Sequence, residues 1–206
     1  TVWENAQPTF RLGPRRSIAV GHNGNLVNTR ELLDRLAGGL SRLPATTDTE
    51  LLTALLADDP ASDLVEALCR VLPTVRGAYS LVVLDERRVI GVRDPYGFRP
   101  LVLGRLPVDE AGVGREGARV AGDEPGVGGG NPRLWSSPGG WLLASETAGL
   151  EVVGAEVVRD VEPGEIVVLE PGTEPRSIRF APPSPALCVF ELIYFARPDS
   201  YMEGRS

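Results

Sequence analysis

The sequence predicts an α+β domain, with helices in the first third of the chain and short strands in the rest. Two observations predict this order. Apolar residues recur at helical spacing in three early segments, whereas from Ala78 onward short β-branched runs alternate with Gly, Pro and polar turns. Helices followed by runs of strands favour segregated layers over an alternating parallel fold.

Each of the three helices has a start signal. Asn28 with Glu31 three residues later, Asp48, and Ser62 or Asp63 each precede leucines at helical spacing. Before them, residues 17–21 form a short apolar run that predicts a buried strand.

The later strands begin with a hairpin, because residues 78–84 and 88–92 are apolar and are separated by a short polar turn. The segment from about 107 to 140 is rich in Gly, Pro and charge and predicts a flexible insertion. Further strands are predicted at 101–103, 141–145, 166–169, 178–180 and 187–195.

Composition excludes several classes of function. The formal net charge is −7 without a basic cluster, which disfavours nucleic acid as a partner. No apolar run approaches the roughly 18 residues that would cross a membrane. Cys69 and Cys188 lie far apart without metal-ligand spacing, so we expect a reducing cytoplasm and no disulfide framework.

The candidate chemistry begins at Asn23-Gly24, in a run that predicts a tight loop after the strand at 17–21. An amide side chain beside an unobstructed glycine N–H can direct two donors at one oxyanion. Taken alone, the dipeptide is more often an ordinary turn. Asp48 has a similar alternative, because Asp commonly caps a helix.

The wider context changes both interpretations. Gly21-His22-Asn23-Gly24-Asn25-Leu26, followed by Thr46-Thr47-Asp48-Thr49-Glu50, resembles the glutaminase core of class II glutamine amidotransferases. The blocks at 93–101 and 191–200 resemble the amidophosphoribosyltransferases within that class. The resemblance extends from residue 1 to about 205, apart from the Gly-rich insertion.

The resemblance implies a fold and a division of the chain. The fold is the four-layer α/β/β/α sandwich of N-terminal-nucleophile hydrolases, here expected to be truncated at its N-terminus. Residues 1–195 would form the glutaminase domain without its N-terminal strands, and residues 196–206 would begin a phosphoribosyltransferase domain.

The resemblance also implies a reaction, in which an N-terminal cysteine attacks the carboxamide of glutamine. The ammonia is transferred to phosphoribosyl pyrophosphate and gives 5-phosphoribosylamine, the first step of de novo purine (IMP) biosynthesis. Asn23 and the Gly24 N–H would form the oxyanion hole. Asp48, together with Gly24, would bind the substrate, with the carboxylate receiving its α-amino group.

This sequence departs from the pattern because no cysteine precedes Asn23. We therefore expect the chain alone to be inactive, and poorly stable because missing strands would expose sheet edge and core. The resemblance implies Mg²⁺ through the phosphoribosyl domain and a homo-oligomer. Cys188 could supply one ligand of a [4Fe–4S] cluster, which requires four thiolates.

Two other functions stay open. Thr1 could act as an N-terminal nucleophile with its own α-amine as base, or the chain could be a noncatalytic glutamine-binding module. His22, the only histidine, is expected to be structural rather than a general base, and Arg15 and Arg16 are expected to be exposed.

Overall fold

The computed structural model describes residues 5–36, 38–39, 43, 47–107 and 140–186. Most of the predicted insertion, the predicted strand at 187–195 and the predicted domain start at 196–206 lie outside these ranges. Within them, four α-helices are present: α1 (Thr29–Leu33), α2 (Asp48–Asp58), α3 (Leu64–Val71) and α4 (Thr147–Val152), and a 3-10 helix, Leu72–Thr74, follows α3.

The described strands form two antiparallel sheets. The larger has six strands in the order β1-β2-β3-β4-β8-β9, and the smaller has three in the order β6-β5-β7. Their bounds are β1 (Thr9–Leu12), β2 (Ser17–Leu26), β3 (Gly77–Leu84), β4 (Val89–Arg93), β5 (Val102–Arg105), β6 (Trp141–Ala144), β7 (Glu156–Asp160), β8 (Glu165–Leu169) and β9 (Arg176–Arg179). The predicted hairpin is confirmed as β3–β4, joined across residues 85–88.

Three apolar clusters show how the elements are layered. Leucines of α1, α2 and α3 pack on the six-stranded sheet. Leu101 and Leu103 meet Val167 between the two sheets. Leu150 of α4 packs with Val102 on the outer face of the small sheet. The order is helix, sheet, sheet, helix, so the predicted four-layer α+β sandwich is confirmed.

The predicted loop after residue 21 is wrong, because β2 continues through Asn23 and Gly24 to Leu26. Gly24 has a φ of 151°, and a Cβ there would lie 2.0 Å from the Ala78 carbonyl oxygen on β3. Glycine at this position lets β2 and β3 approach closely. An Asn-Gly pair can therefore indicate close contact between strands as well as a turn.

The helices begin where the sequence predicts, but one of the predicted capping residues is wrong. Asp63 caps α3, since its side chain accepts the Val65 N–H. The cap of α2 is Thr47, whose hydroxyl accepts the Glu50 N–H. Asp48 is therefore the first residue of the helix, and its carboxylate is available for other contacts.

Arg16 also departs from expectation, because it is buried while Arg15 is exposed. Its guanidinium donates to the carbonyls of Leu56, Asp59 and Ala61 at the C-terminal end of α2. A cation that satisfies the last carbonyls of a helix stabilises that terminus. Arg16 thus stabilises the fold and is not part of the candidate site.

The outer part of the large sheet exposes apolar side chains. Thr9 and Arg11 of β1 contact α2, so Phe10 and Leu12 lie on the opposite face, where they are 63% and 74% exposed. Leu84 is exposed on the same face. The low stability expected for the chain stays a prediction.

Among the helices in the described ranges, none has the length and apolarity needed to cross a membrane.

Candidate functional site

The site is built on one edge of β2. Pairing with β1 ends at Thr9 opposite Val20, so the later residues of β2 have no β1 partner. Successive N–H groups of a strand point to alternate edges, which places those of residues 22, 24 and 26 on the same edge. The His22 N–H donates to the Gln7 side-chain oxygen at 2.6 Å, and the Leu26 N–H donates to Asp48 at 3.0 Å.

The Gly24 N–H lies between these two anchored groups. Its neighbour on β3 is Tyr79. The Tyr79 N–H donates to the Asp94 carboxylate and the Tyr79 carbonyl accepts the Asp94 N–H, so both groups point away from β2. Gly24 and Tyr79 are therefore a non-hydrogen-bonded pair, and the Gly24 N–H points away from β3. It has no side-chain acceptor among the described residues.

The Asn23 side chain lies beside this donor. Residues 18, 20 and 26 of β2 are buried against the helices, so alternation places Asn23 on the opposite face. Asn23 is exposed, and its amide has no hydrogen-bond partner within the described part of the chain. The strand thus presents a side-chain donor and an adjacent backbone donor, the combination that stabilises an oxyanion.

Asp48 holds an ionised carboxylate at the end of the same edge. Its Oδ2 accepts the Leu26 N–H at 3.0 Å, and its Oδ1 accepts the Thr49 N–H at 2.9 Å. Burial alone raises the pKa of Asp48, but the nearby His22 ring and the bonds from the Leu26 and Thr49 N–H groups outweigh burial and lower the pKa below its usual value. The side chain is 21% exposed, so this anion can meet a cationic group from solvent.

His22 supports Asp48 and is not accessible to a ligand. Its side chain is 1% exposed, with Nδ1 3.1 Å from the Thr49 hydroxyl and 3.7 Å from Asp48 Oδ1. Its Nε2 is buried and has no partner among the described atoms. This burial agrees with the structural role predicted for the histidine.

No cysteine in the described residues is suited to nucleophilic attack. Cys69 lies on α3 and packs against the helix–sheet core, where burial raises the pKa of its thiol. Cys188 and Thr1 lie outside the described residues. The described residues also hold no cluster of three or more His, Cys, Asp or Glu side chains that could bind a metal.

The block at 93–100 is an internally bonded turn. The Arg93 guanidinium donates to the carbonyls of Arg99, Val161 and Gly97 at 2.8–3.0 Å. The fully buried Asp94 carboxylate accepts several backbone N–H groups, including those of Tyr79, Tyr96 and Gly97. Burial raises the pKa of Asp94 despite these bonds. The sequence of this block carries the family resemblance, but it predicted no role for these residues.

Comparison with known proteins agrees with this geometry. The family described as glutamine amidotransferase domain matches residues 2–114, more than half of the chain. The chain belongs to this family. The match includes Asn23, Gly24 and Asp48, and it ends at the start of the Gly-rich segment.

Curated relatives place the chain within larger enzymes. It is 46% identical to the amidophosphoribosyltransferase of Mycobacterium leprae, aligning over 100% of this chain and 33% of that protein. It is 39% identical to the amidophosphoribosyltransferase of Synechococcus elongatus, over 98% of this chain and 36% of that protein. The chain therefore spans about a third of the length of the relatives it matches.

Solved structures extend the likeness to three dimensions. The glutamine phosphoribosylpyrophosphate amidotransferase from B. subtilis, complexed with ADP and GMP, aligns with a TM-score of 0.76 at 30% identity, covering 98% of this chain and 38% of that one. A second structure, of the allosteric regulatory enzyme of purine biosynthesis, gives a TM-score of 0.73 over 98% of this chain and 37% of its own. The chain has the N-terminal-nucleophile hydrolase fold.

Proposed function

We propose that this chain is the glutaminase part of an amidophosphoribosyltransferase, which releases ammonia from glutamine and transfers it to phosphoribosyl pyrophosphate. The observation that carries the proposal is the open edge of β2. There an exposed Asn23 amide, without a hydrogen-bond partner in the described ranges, and an outward-pointing Gly24 N–H lie beside the ionised Asp48 carboxylate. The relatives' names supply the acceptor substrate.

In the proposed reaction a cysteine thiolate attacks the carboxamide carbon, and the carbonyl electrons move to oxygen. Asn23 and the Gly24 N–H hold that oxyanion. As the oxyanion collapses to a thioester, the C–N bond breaks and the nitrogen, having taken up the proton lost by the thiol, leaves as ammonia. Water then hydrolyses the thioester to glutamate and restores the cysteine. Ammonia replaces pyrophosphate on phosphoribosyl pyrophosphate to give 5-phosphoribosylamine. Asp48 binds the α-amino group of glutamine.

The remaining assignments are part of the same proposal. Residues 1–195 belong to the glutaminase domain, with an insertion at about 107–140, and residues 196–206 begin the phosphoribosyltransferase domain, which brings Mg²⁺. The enzyme is a cytoplasmic homo-oligomer. Two cysteines do not fit a [4Fe–4S] cluster by themselves, so Cys188 could contribute only together with thiolates from outside this chain.

The test measures glutamate release from glutamine by the complete gene product that contains this chain. Asn23→Ala is expected to lower kcat by about 10²–10³-fold, the usual effect of deleting one oxyanion donor. Asn25→Ala is the matched control, because Asn25 is the same residue type, exposed, and two positions further along β2. It is expected to stay within a few-fold of wild type.

Equal losses in the two variants would refute the oxyanion assignment. Residues 1–206 alone should release no glutamate, since no cysteine precedes Asn23. Release by this polypeptide, abolished by Thr1→Ala, would instead identify an N-terminal-threonine hydrolase. Glutamine binding by the complete product without any release would favour a noncatalytic binding module.

A further inference from the structure

We propose that Thr49 is a positioning residue, which, with His22 and Gln7 as its donors, orients the Asp48 carboxylate towards the α-amino group of glutamine. The inference rests on the proposed function and deepens it. It assigns a task to three side chains around Asp48 that themselves need not touch the substrate.

The Thr49 hydroxyl is the centre of this network. Thr49 is only 2% exposed, and its Oγ1 lies 3.1 Å from His22 Nδ1, 3.4 Å from Gln7 Nε2 and 3.5 Å from Asp48 Oδ1. Its backbone N–H also donates to Asp48 Oδ1 at 2.9 Å. One residue therefore contacts the same carboxylate oxygen twice, through main chain and side chain.

The direction of the protons follows from the chemistry of the groups. An ionised carboxylate only accepts, an amide nitrogen only donates, and a hydroxyl has one proton to give. The Gln7 amide therefore donates to the Thr49 hydroxyl. In the proposed arrangement the hydroxyl gives its one proton to Asp48 Oδ1, and His22 Nδ1 is then a donor to the hydroxyl oxygen. Every proton in the network is directed towards the carboxylate.

Gln7 connects the network to the edge of β2 that presents Gly24. Its Oε1 accepts the His22 N–H at 2.6 Å while its Nε2 donates to Thr49, so one exposed side chain links β2 with α2. The lead into β1, the open edge of β2 and the first turn of α2 are thereby fixed together. The carboxylate is held in register with the two proposed oxyanion donors.

The network leaves capacity on the other oxygen of the carboxylate. Oδ2 accepts only the Leu26 N–H among the described residues, whereas a carboxylate oxygen can accept about two hydrogen bonds. The network on Oδ1 fixes the rotation of the group and so aims the remaining lone pair of Oδ2. An ammonium bound there would depend on Thr49 even without touching it.

The discriminating probe is glutaramate, which is glutamine without its α-amino group. If Thr49 acts through Asp48, its removal weakens binding of glutamine but not of glutaramate. A general distortion of the pocket would weaken both compounds. The comparison separates a positioning role from a merely structural one.

The experiment compares Thr49→Val, which keeps the shape and removes the hydroxyl, with Thr49→Ser, which restores a hydroxyl. In the complete gene product, Thr49→Val should raise the Kd for glutamine about tenfold, as expected for one hydrogen bond to a charged group. The inhibition constant of glutaramate should not change, and kcat should fall less than affinity. Thr49→Ser should recover most of the affinity for glutamine.

Gln7→Met gives a second route, because Gln7 is exposed and its replacement should not unfold the protein. It should weaken glutamine binding in the same direction by a smaller factor. Equal weakening of glutamine and glutaramate, or no change in either, would overturn the positioning role while wild type still binds glutamine. If wild type binds no glutamine at all, the proposed function itself fails.

Discussion

Two segments at the ends of strands in the large sheet both carry the family resemblance, and they differ in how their polar groups are satisfied. In the open strand segment, residues 21–26, the Asn23 amide and the Gly24 N–H have no side-chain partners among the described residues. In the buried turn, residues 93–100, the Arg93 guanidinium and the Asp94 carboxylate are bonded to backbone groups on all sides. Groups that bind a ligand stay open, whereas groups that hold a fold are already satisfied.

The two segments are connected through a single residue of β3. Tyr79 lies opposite Gly24, while its N–H donates to Asp94 Oδ2 at 3.2 Å and its carbonyl accepts the Asp94 N–H at 2.9 Å. The buried turn therefore uses the backbone polar groups of Tyr79 that would otherwise face β4. The buried turn thus fixes the backbone of the residue that lies opposite Gly24.

The largest effect is expected in the buried turn. Arg93→Met keeps the apolar stem but leaves the carbonyls of Arg99, Val161 and Gly97 without their donor, and should lower the free energy of unfolding by about 3–5 kcal/mol. Urea unfolding followed by circular dichroism measures this. Arg87→Met is the control, because Arg87 is exposed and should change stability by less than about 0.5 kcal/mol. Equal losses of stability in the two variants would contradict the proposed difference between the buried turn and an exposed arginine.

The next effect is expected at Gly24. A Cβ added at this position would lie 2.0 Å from the Ala78 carbonyl oxygen, so Gly24→Ala must separate β2 from β3 and should cost about 2–3 kcal/mol. Gly21→Ala is the matched control in the same strand, because its Cβ would meet nothing closer than 3.8 Å. A Gly24→Ala protein as stable as Gly21→Ala would show that the two strands do not approach as described.

The sequence predicted most of the fold because its signals were local. The leucine spacing of α2 and α3, the cap of α3, and the β3–β4 hairpin involve residues close together in the chain. It missed β1, β7 and α4, which are short. In β7, residues 156–158 are exposed, so no apolar alternation marks the strand. It also placed Arg16 at the surface, because its partners on α2 are about 40 residues away.

The residues of the candidate site were proposed from the sequence, whereas their geometry could not be. Asn-Gly usually indicates a turn, and only the contact of Gly24 with β3 shows why the glycine lies within a strand. Asp48 was predicted as a helix cap or a ligand, and the structure assigns the cap to Thr47. The bond from Leu26 to Asp48 and the Thr49 network join residues distant in sequence, so no local pattern could reveal them.

The smallest effect is expected at the Tyr79 hydroxyl. Although the backbone of Tyr79 lies between the open strand segment and the buried turn, its hydroxyl bonds to neither among the described residues. It is fully buried, it has no partner among the described atoms, and burial raises the pKa of Tyr79, with the Asp94 charge as a smaller cause. Because an unsatisfied buried hydroxyl is unfavourable, Tyr79→Phe should be neutral or stabilise by up to about 1 kcal/mol in urea unfolding. The exposed Tyr96→Phe, as control, should change stability by less than about 0.5 kcal/mol.

A loss above about 1 kcal/mol in Tyr79→Phe would show that the hydroxyl has a hydrogen-bond partner, such as a bound water. A candidate for that water's second contact is His22 Nε2, the other buried polar atom without a partner in the described residues. His22 and Tyr79 lie diagonally across β2 and β3, because His22 pairs with Leu81 and Tyr79 pairs with Gly24. In that case, the face of β2 and β3 that packs against the helices would also carry a polar network. The open strand segment would then be held by polar contacts on that face as well as along its edge.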